Sequence, residues 1–150
     1  MAKKGILLVN LGTPDSTAVP DVRKYLREFL MDKRVVDIPA FFRWLLVNGI
    51  IAPFRAPKSA GEYRKLFTER GSPLKYYTED LKGLLQEKVG EEYHVEYAMR
   101  YQSPSIEKAL NTLKKANCPS IHVIPLFPQY ASATTGSVID KVMEITMKWQ

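Results

Sequence analysis

Apolar and polar positions along this chain fall into blocks that switch between two periods. Ile6-Leu7-Leu8-Val9-Asn10-Leu11 is a nearly continuous apolar run, which predicts a strand buried on both faces over Gly5–Leu11. Asp21–Leu30 repeats at helical spacing, with Val22, Tyr25, Leu26, Phe29 and Leu30 on one side and Pro20 in the first turn. Val35–Phe54 is denser: Phe41, Phe42, Trp44, Leu45, Ile50 and Phe54 crowd a short helix with more apolar surface than one core face needs, with Gly49 and Pro53 as breaks. Pro57–Phe67 reads as a polar helix, stopped by Gly71-Ser72-Pro73. Leu74–Val89 predicts an amphipathic helix whose stripe is Leu74, Tyr77, Leu81, Leu84, Leu85 and Val89. Tyr93–Tyr101 alternates as a strand, with Tyr93, Val95, Tyr97 and Met99 on one face. Ser103-Pro104-Ser105 starts a helix with Ile106, Ala109, Leu110 and Leu113 inward. Ser120–Leu126 is the third strand, and Thr134–Trp149 the last helix, with Val138, Val142, Ile145 and Trp149 inward.

The order β-α-(α-α-α)-β-α-β-α implies an α/β fold, a doubly wound parallel sheet with right-handed crossovers. Three strands make a small sheet, and the sequence stops where another strand should follow. The expectation is therefore the first half of a longer protein, built from two similar domains. The first strand ends in Gly12-Thr13-Pro14 and the third in Phe127-Pro128. Both deliver their next residues to the carboxyl edge of the sheet, where open α/β folds bind ligands.

Composition narrows the partners. A chain of 150 residues with 45% hydrophobic content suits one domain with a real core. The charge of +6, from 22 basic and 16 acidic residues, is scattered. Lys3-Lys4 and Lys114-Lys115 are only pairs, so nucleic acid is not expected. The charge fits a solvated basic surface, or attraction to acidic ligands or an anionic membrane. Cys118 stands alone, which fits a reducing cytoplasm. No run approaches the roughly 20 apolar residues of a membrane span, and no signal peptide is evident.

Few residues carry chemistry by pattern. His94 and His122 sit mid-strand, away from any zinc-like spacing, so no metal ligand is assigned. No Ser/His/Asp set, nucleophile elbow, GxGxxG or P-loop occurs. Thr134-Thr135-Gly136-Ser137 opens a helix, where amides, hydroxyls and the dipole favour an anion; Thr134 or Ser132 acting as a simple N-cap is the alternative. The first loop is a poorer cradle, since Pro14 lacks an N–H and Asp15 repels anions. Arg100, at the end of the second strand beside Tyr101, and Arg55, just past the apolar segment, read as surface arginines or as carboxylate anchors. Phe41–Phe54 reads as core or as an exposed lip that meets a membrane or a greasy ligand.

Taken together, Gly5-Ile-Leu-Leu-Val-Asn-Leu-Gly-Thr-Pro14, Tyr63 with Gly71-Ser72-Pro73, Met99-Arg100-Tyr101 and Phe127-Pro-Gln-Tyr-Ala-Ser-Ala-Thr-Thr-Gly-Ser137 resemble the ferrochelatases. The resemblance spans nearly the whole chain and matches the N-terminal half of that family. It implies a flavodoxin-like, chelatase-like domain over 1–150 of an enzyme that inserts ferrous iron into protoporphyrin IX in haem biosynthesis, this part supplying the porphyrin-binding wall and an apolar lip over about 21–54. It implies that Arg55, Tyr63 and Ser72 contact the porphyrin, Arg55 and Ser72 near its propionates. Leu11, Leu26 and Leu30 would line the macrocycle, with Arg100 and Tyr101 at the cleft floor. The family's catalytic histidine and glutamate belong to the second half, so no catalytic residue is assigned here and the piece alone is expected to be inactive. Ser132 stands where animal mitochondrial members carry a cluster-ligating cysteine, so no iron–sulfur cofactor is expected. Leu11 stands where coproporphyrin-using relatives place a tyrosine, which favours the protoporphyrin type. The implied location is cytoplasmic, with peripheral membrane contact. Two other readings remain: a chelatase for a more carboxylated tetrapyrrole, and a non-catalytic flavodoxin-like module that holds a nucleotide or flavin.

Overall fold

Leu7, Leu8 and Val9 are buried together only if their strand is paired on both edges and covered on both faces, and β1 (Lys4–Gly12) occupies that place. The computed structural model describes residues 3–149. It sets β1 at the centre of a parallel three-stranded sheet of order β2-β1-β3, with β2 at Tyr93–Tyr101 and β3 at Ile121–Pro125. Leu8 lies opposite Tyr97 on one side and Ile124 on the other, so the strands share one carboxyl edge. The helices are α1 (Val19–Met31), α2 (Ala40–Leu45), α3 (Ala52–Leu66), α4 (Pro73–Val89), α5 (Ile106–Lys115) and α6 (Ser137–Thr146). Leu7, Val9 and Ala98 pack on α5 and α6 through Leu110, Leu113 and Val138, while Ile6, Leu8 and Val95 face Leu85 and Val89 of α4. Helices thus flank both faces, as the alternation of elements implies.

The lip region departs from its expected form. Gly49 and Pro53 do not break it. Residues 40–66 form one continuous helical rod in which Leu46–Ile51 widens into a π turn, with the Ala52 amide reaching back to the Val47 carbonyl. The wider turn ahead of Pro53 relaxes the clash a proline ring makes with the preceding turn. Beyond it, Ala52, Ala56 and Ala60 are fully buried, and Val22 of α1 packs on the latter two. Three alanines at a spacing of four let the two helix backbones come close.

The stripe expected on α4 is also corrected. Leu74, Tyr77, Leu81 and Leu84 face outward, Leu84 with 65% of its surface exposed. Polar anchors set the rotation instead. Thr78 bonds Asn10 of β1 at 3.1 Å, Lys82 pairs with Glu96 at 3.1 Å, and Gln86 bonds both the Val95 amide (2.8 Å) and the Tyr93 carbonyl (3.0 Å). Gln86 thereby satisfies part of the edge of β2, where no further strand pairs among the described residues. The last helix begins at Ser137, preceded by a π turn over Ser132–Gly136.

The turn leaving β1 is the tightest point. Gly12 has φ +117°, and a Cβ there would lie 2.1 Å from the Tyr101 carbonyl oxygen. That oxygen is backbone and cannot swing aside. Gly12→Ala is expected to cost about 2–4 kcal/mol of stability, read as a drop in urea midpoint at unchanged m-value.

Candidate functional site

α1 lies over the carboxyl end of β2, and the lip rod packs on α1. Phe29 of α1 meets the Tyr101 ring edge-on at 5.2 Å and stacks on Tyr25 at 5.9 Å. Tyr25 in turn meets Tyr63 of α3 edge-on at 6.1 Å. An aromatic column therefore runs from the end of β2 to the lip helix. Burial pushes the Tyr63 phenol up, and burial together with Tyr63 pushes Tyr25 further, so both stay neutral near pH 7.

The residues proposed from sequence fall into three groups. Leu11, Leu26 and Leu30 are half-buried, Leu26 packing on Val22, Ala56 and Ala60. Leu11 is held by its own amide, which donates to the Asn10 side chain at 2.8 Å. Tyr63 and Arg55 lie on α3, whereas Ser72 stands apart from them at the start of α4. Arg55 is exposed, with no hydrogen-bond or ion-pair partner among the described residues. Ser72 is 8% exposed at the N-terminus of α4 and lines a cavity of about 190 Å³ with Pro14, Asp15, Arg70 and Lys75. Arg70 in that wall is engaged by Asp80 at 2.7 Å, and its guanidinium lies over the Tyr76 ring at 4.3 Å. Arg100 and Tyr101 come together at the carboxyl end of β2, with Tyr101 fully buried. Just before the lip's π turn and beyond it, Phe41 (69%), Phe42 (60%), Trp44 (55%) and Phe54 (78%) are exposed on the rod. The core reading of this stretch is therefore overturned: Val47 and Ala52 are buried, but the aromatic side chains are not.

The carboxyl end of β2 also gathers residues that sequence reasoning missed. Asp32, at the exit of α1, accepts hydrogen bonds from Arg100 Nη2 (2.8 Å), Tyr101 Oη (2.9 Å), Ser137 Oγ (2.5 Å) and the Arg34 amide (2.8 Å). Arg100 Nε also donates to the Ser137 carbonyl (3.1 Å) and hydroxyl (2.7 Å). Arg34 forms a two-pronged pair with Asp140 at 2.5 and 2.8 Å and reaches Ser132 at 3.2 Å. Asp32 gave no signal because a charged residue after an amphipathic stripe reads as a solvated helix end.

This network also settles the Thr134–Ser137 loop. The amides of Thr134 and Gly136 both bond the Ala131 carbonyl, Ser137 serves Asp32 and Arg100, and Arg34 lies 2.9 Å from where a Gly136 Cβ would stand. The anion cradle is occupied from within, and no side chain caps α6 either. Among the described residues no group of three or more His, Cys, Asp or Glu gathers to hold a metal, and no helix is long and apolar enough to cross a membrane. His94 bonds Glu96 at 3.1 Å, a local contact on an edge strand.

Burial opposes the charge on Asp32, yet the bonds from Ser137, Arg34 and Tyr101, with the Arg100 charge, hold its carboxyl below the ordinary value of 3.8. Burial pushes the Tyr101 phenol up to about 12, so it remains a donor to Asp32. A depressed folded-state value stabilises the protein above the unfolded value and is lost as the pH falls through the folded one. The melting-temperature gap between wild type and Asp32→Asn is therefore expected to be full at pH 7 and to shrink progressively below about pH 4, where the unfolded carboxyl protonates. A gap independent of pH from 7 to 3 contradicts this.

Comparison with known proteins agrees with this architecture. Residues 3–150 match the family described as Ferrochelatase. A ferrochelatase of Legionella pneumophila (strain Paris) is 50% identical over 141 residues, covering 94% of this chain and 42% of that protein. A ferrochelatase of Coxiella burnetii (strain Dugway 5J108-111) is 48% identical over 140 residues, covering 93% of this chain and 40% of its own. The chain thus spans about two-fifths of the length of these relatives. With its family matched over nearly every residue and its parallel sheet flanked by helices on both faces, the chain belongs to the ferrochelatase family.

Proposed function

We propose that residues 1–150 form the porphyrin-gripping N-terminal half of an enzyme that inserts ferrous iron into protoporphyrin IX, yielding protohaem. The observation that carries this reading is the exposed apolar rim from Phe41 to Phe54, which runs directly into Arg55, a cation without a partner among the described residues. A flat, greasy dicarboxylic macrocycle needs that combination: apolar area for its face and a charged donor for its carboxylates. Leu11, Leu26 and Leu30 supply the wall, Tyr63 a contact from α3, and Arg55 and Ser72 the propionate anchors. Arg100 and Tyr101 form the floor. Iron and porphyrin are both substrates, and no resident cofactor is invoked. A mononucleotide fits less well, since Pro14 offers no amide and Asp15 repels phosphate.

In this mechanism the rim and anchors hold the macrocycle distorted, which turns the pyrrole lone pairs towards the metal. Strain of roughly 1–5 kcal/mol is drawn from contacts remote from the reacting nitrogens. The base that takes the pyrrole protons belongs to a companion half. Two features support such a half. β3 pairs only with β1 among the described residues, and beside it an apolar hollow of about 730 Å³ lies over Ile6, Val123 and Ile124. A further strand and its covering helix fit that unfinished edge. The protein would work in the cytoplasm, its aromatic rim touching the membrane surface to collect a poorly soluble substrate.

The full-length protein is expected to insert iron while residues 1–150 alone do not. Arg55→Ala or Ser72→Ala in the full-length protein is expected to raise the Kd for protoporphyrin, Arg55→Ala by about 10- to 100-fold, measured by fluorescence quenching. Unchanged Kd values in both variants, or turnover by the isolated piece, would sink the division of labour. For the membrane, Phe41→Ser and Trp44→Ser are expected to reduce co-sedimentation with anionic liposomes; equal pelleting of wild type and variants would refute the contact.

A further inference from the structure

The cations around the carboxyl edge divide into two kinds. Arg100 and Arg34 are each matched by a carboxylate, Asp32 at 2.8 Å and Asp140 at 2.5 Å. Arg55, on the lip, has no carboxylate partner among the described residues. The matched pair at the floor is deeply placed, with side-chain exposures of 14% for Arg100 and 7% for Asp32. Arg100 is further fixed by Ser137 and by the Tyr101 ring, which its guanidinium overlies at 4.5 Å. An arginine left unmatched there would present a second carboxylate receptor, in a less hydrated place than the lip and hence a stronger one.

We propose that Asp32 is a specificity-determining, positioning residue: by neutralising Arg100 it keeps the floor from competing for the substrate's carboxylates, so that a dicarboxylic macrocycle seats with both of them towards the lip. Asp140 does the same for Arg34 at the outer margin. The inference rests on the porphyrin-metallating function proposed above and extends it from which residues hold the ligand to which way round it sits. It also distinguishes two roles that look alike in the sequence: Arg55 is an anchor, whereas Arg100 is a paired element of the floor.

Competing, wrongly oriented binding has a kinetic signature that a merely structural defect lacks. Ligand held unproductively lowers KM and kcat together and leaves kcat/KM nearly unchanged. In the full-length enzyme, Asp32→Asn keeps the volume of the side chain and removes its charge. It is expected to lower both kcat and KM for protoporphyrin by about fivefold, and to favour the free diacid over the porphyrin dimethyl ester in binding more strongly than wild type does. With the porphyrin dimethyl ester, which lacks the free carboxylates, Asp32→Asn is expected to keep kcat within about twofold of wild type, because the unmatched Arg100 charge then has nothing to compete for. A fall in kcat without a fall in KM, or an equal fall in kcat with the diacid and the dimethyl ester, overturns the proposal. Should Asp32→Asn not fold, Asp140→Asn decides, because its carboxylate is 39% exposed: a joint fall of kcat and KM supports the proposal and unchanged values overturn it. Failure of the wild type to insert any metal defeats the functional reading itself, whereas an active wild type whose Asp32→Asn form keeps both constants defeats this proposal alone.

Discussion

The carboxyl ends of β1 and β2 lie in backbone contact, and much of the site is built outward from that approach. Gly12 turns against the Tyr101 carbonyl with no side chain between them. Tyr101 then serves both halves of its environment. Its ring supports Phe29, Tyr25 and through them Tyr63, and its hydroxyl reaches Asp32. The lip helices are therefore referenced to the sheet through a column of rings rather than through local chain connectivity. Each contact of that kind contributes about 0.5–1.5 kcal/mol beyond the area it buries, so the column is a stiff link made of modest parts.

The charges at the floor follow a different logic. A buried carboxylate and guanidinium gain little net stability over apolar residues of the same shape, but losing one partner leaves the other stranded at a cost of about 3–5 kcal/mol. Asp32 escapes stranding because three side-chain donors and one amide converge on it. Such a group is better understood as fixing geometry than as adding stability. It ties the exit of α1, the end of β2 and the start of α6 at one point, three elements that the chain order keeps far apart.

Period and burial made most of the fold legible. The apolar run at Ile6–Val9 could only be a central strand, and the stripe Ile106, Ala109, Leu110 and Leu113 is buried as its spacing implied. The failures come from polar contacts between elements and from a local turn, neither of which an apolar period within one segment encodes. The rotation of α4 is decided by Thr78, Lys82 and Gln86 meeting partners on the sheet, and a period read along the helix alone contains none of those partners. The continuity of the lip rod past Gly49 and Pro53 depends on a π turn, for which sequence carries no period. At the site, motif resemblance singled out Arg100 and Tyr101, but their acidic partner lies 68 residues upstream of Arg100 and looked like an ordinary helix end.

The π turn at Leu46–Ile51 has a bearing on how this lip tolerates change. A π turn holds one more residue than the α-helix on either side, and each residue of a helix advances the azimuth by about 100°. The extra residue therefore sets the angular phase between the aromatic side chains of α2 and two features of α3, the exposed Arg55 and the separate stripe of buried alanines. Chain length across this stretch is a structural parameter in its own right. A one-residue deletion that let the turn wind back to α would swing Arg55 and the exposed aromatic rings to different bearings while leaving the identity of every one of those residues untouched.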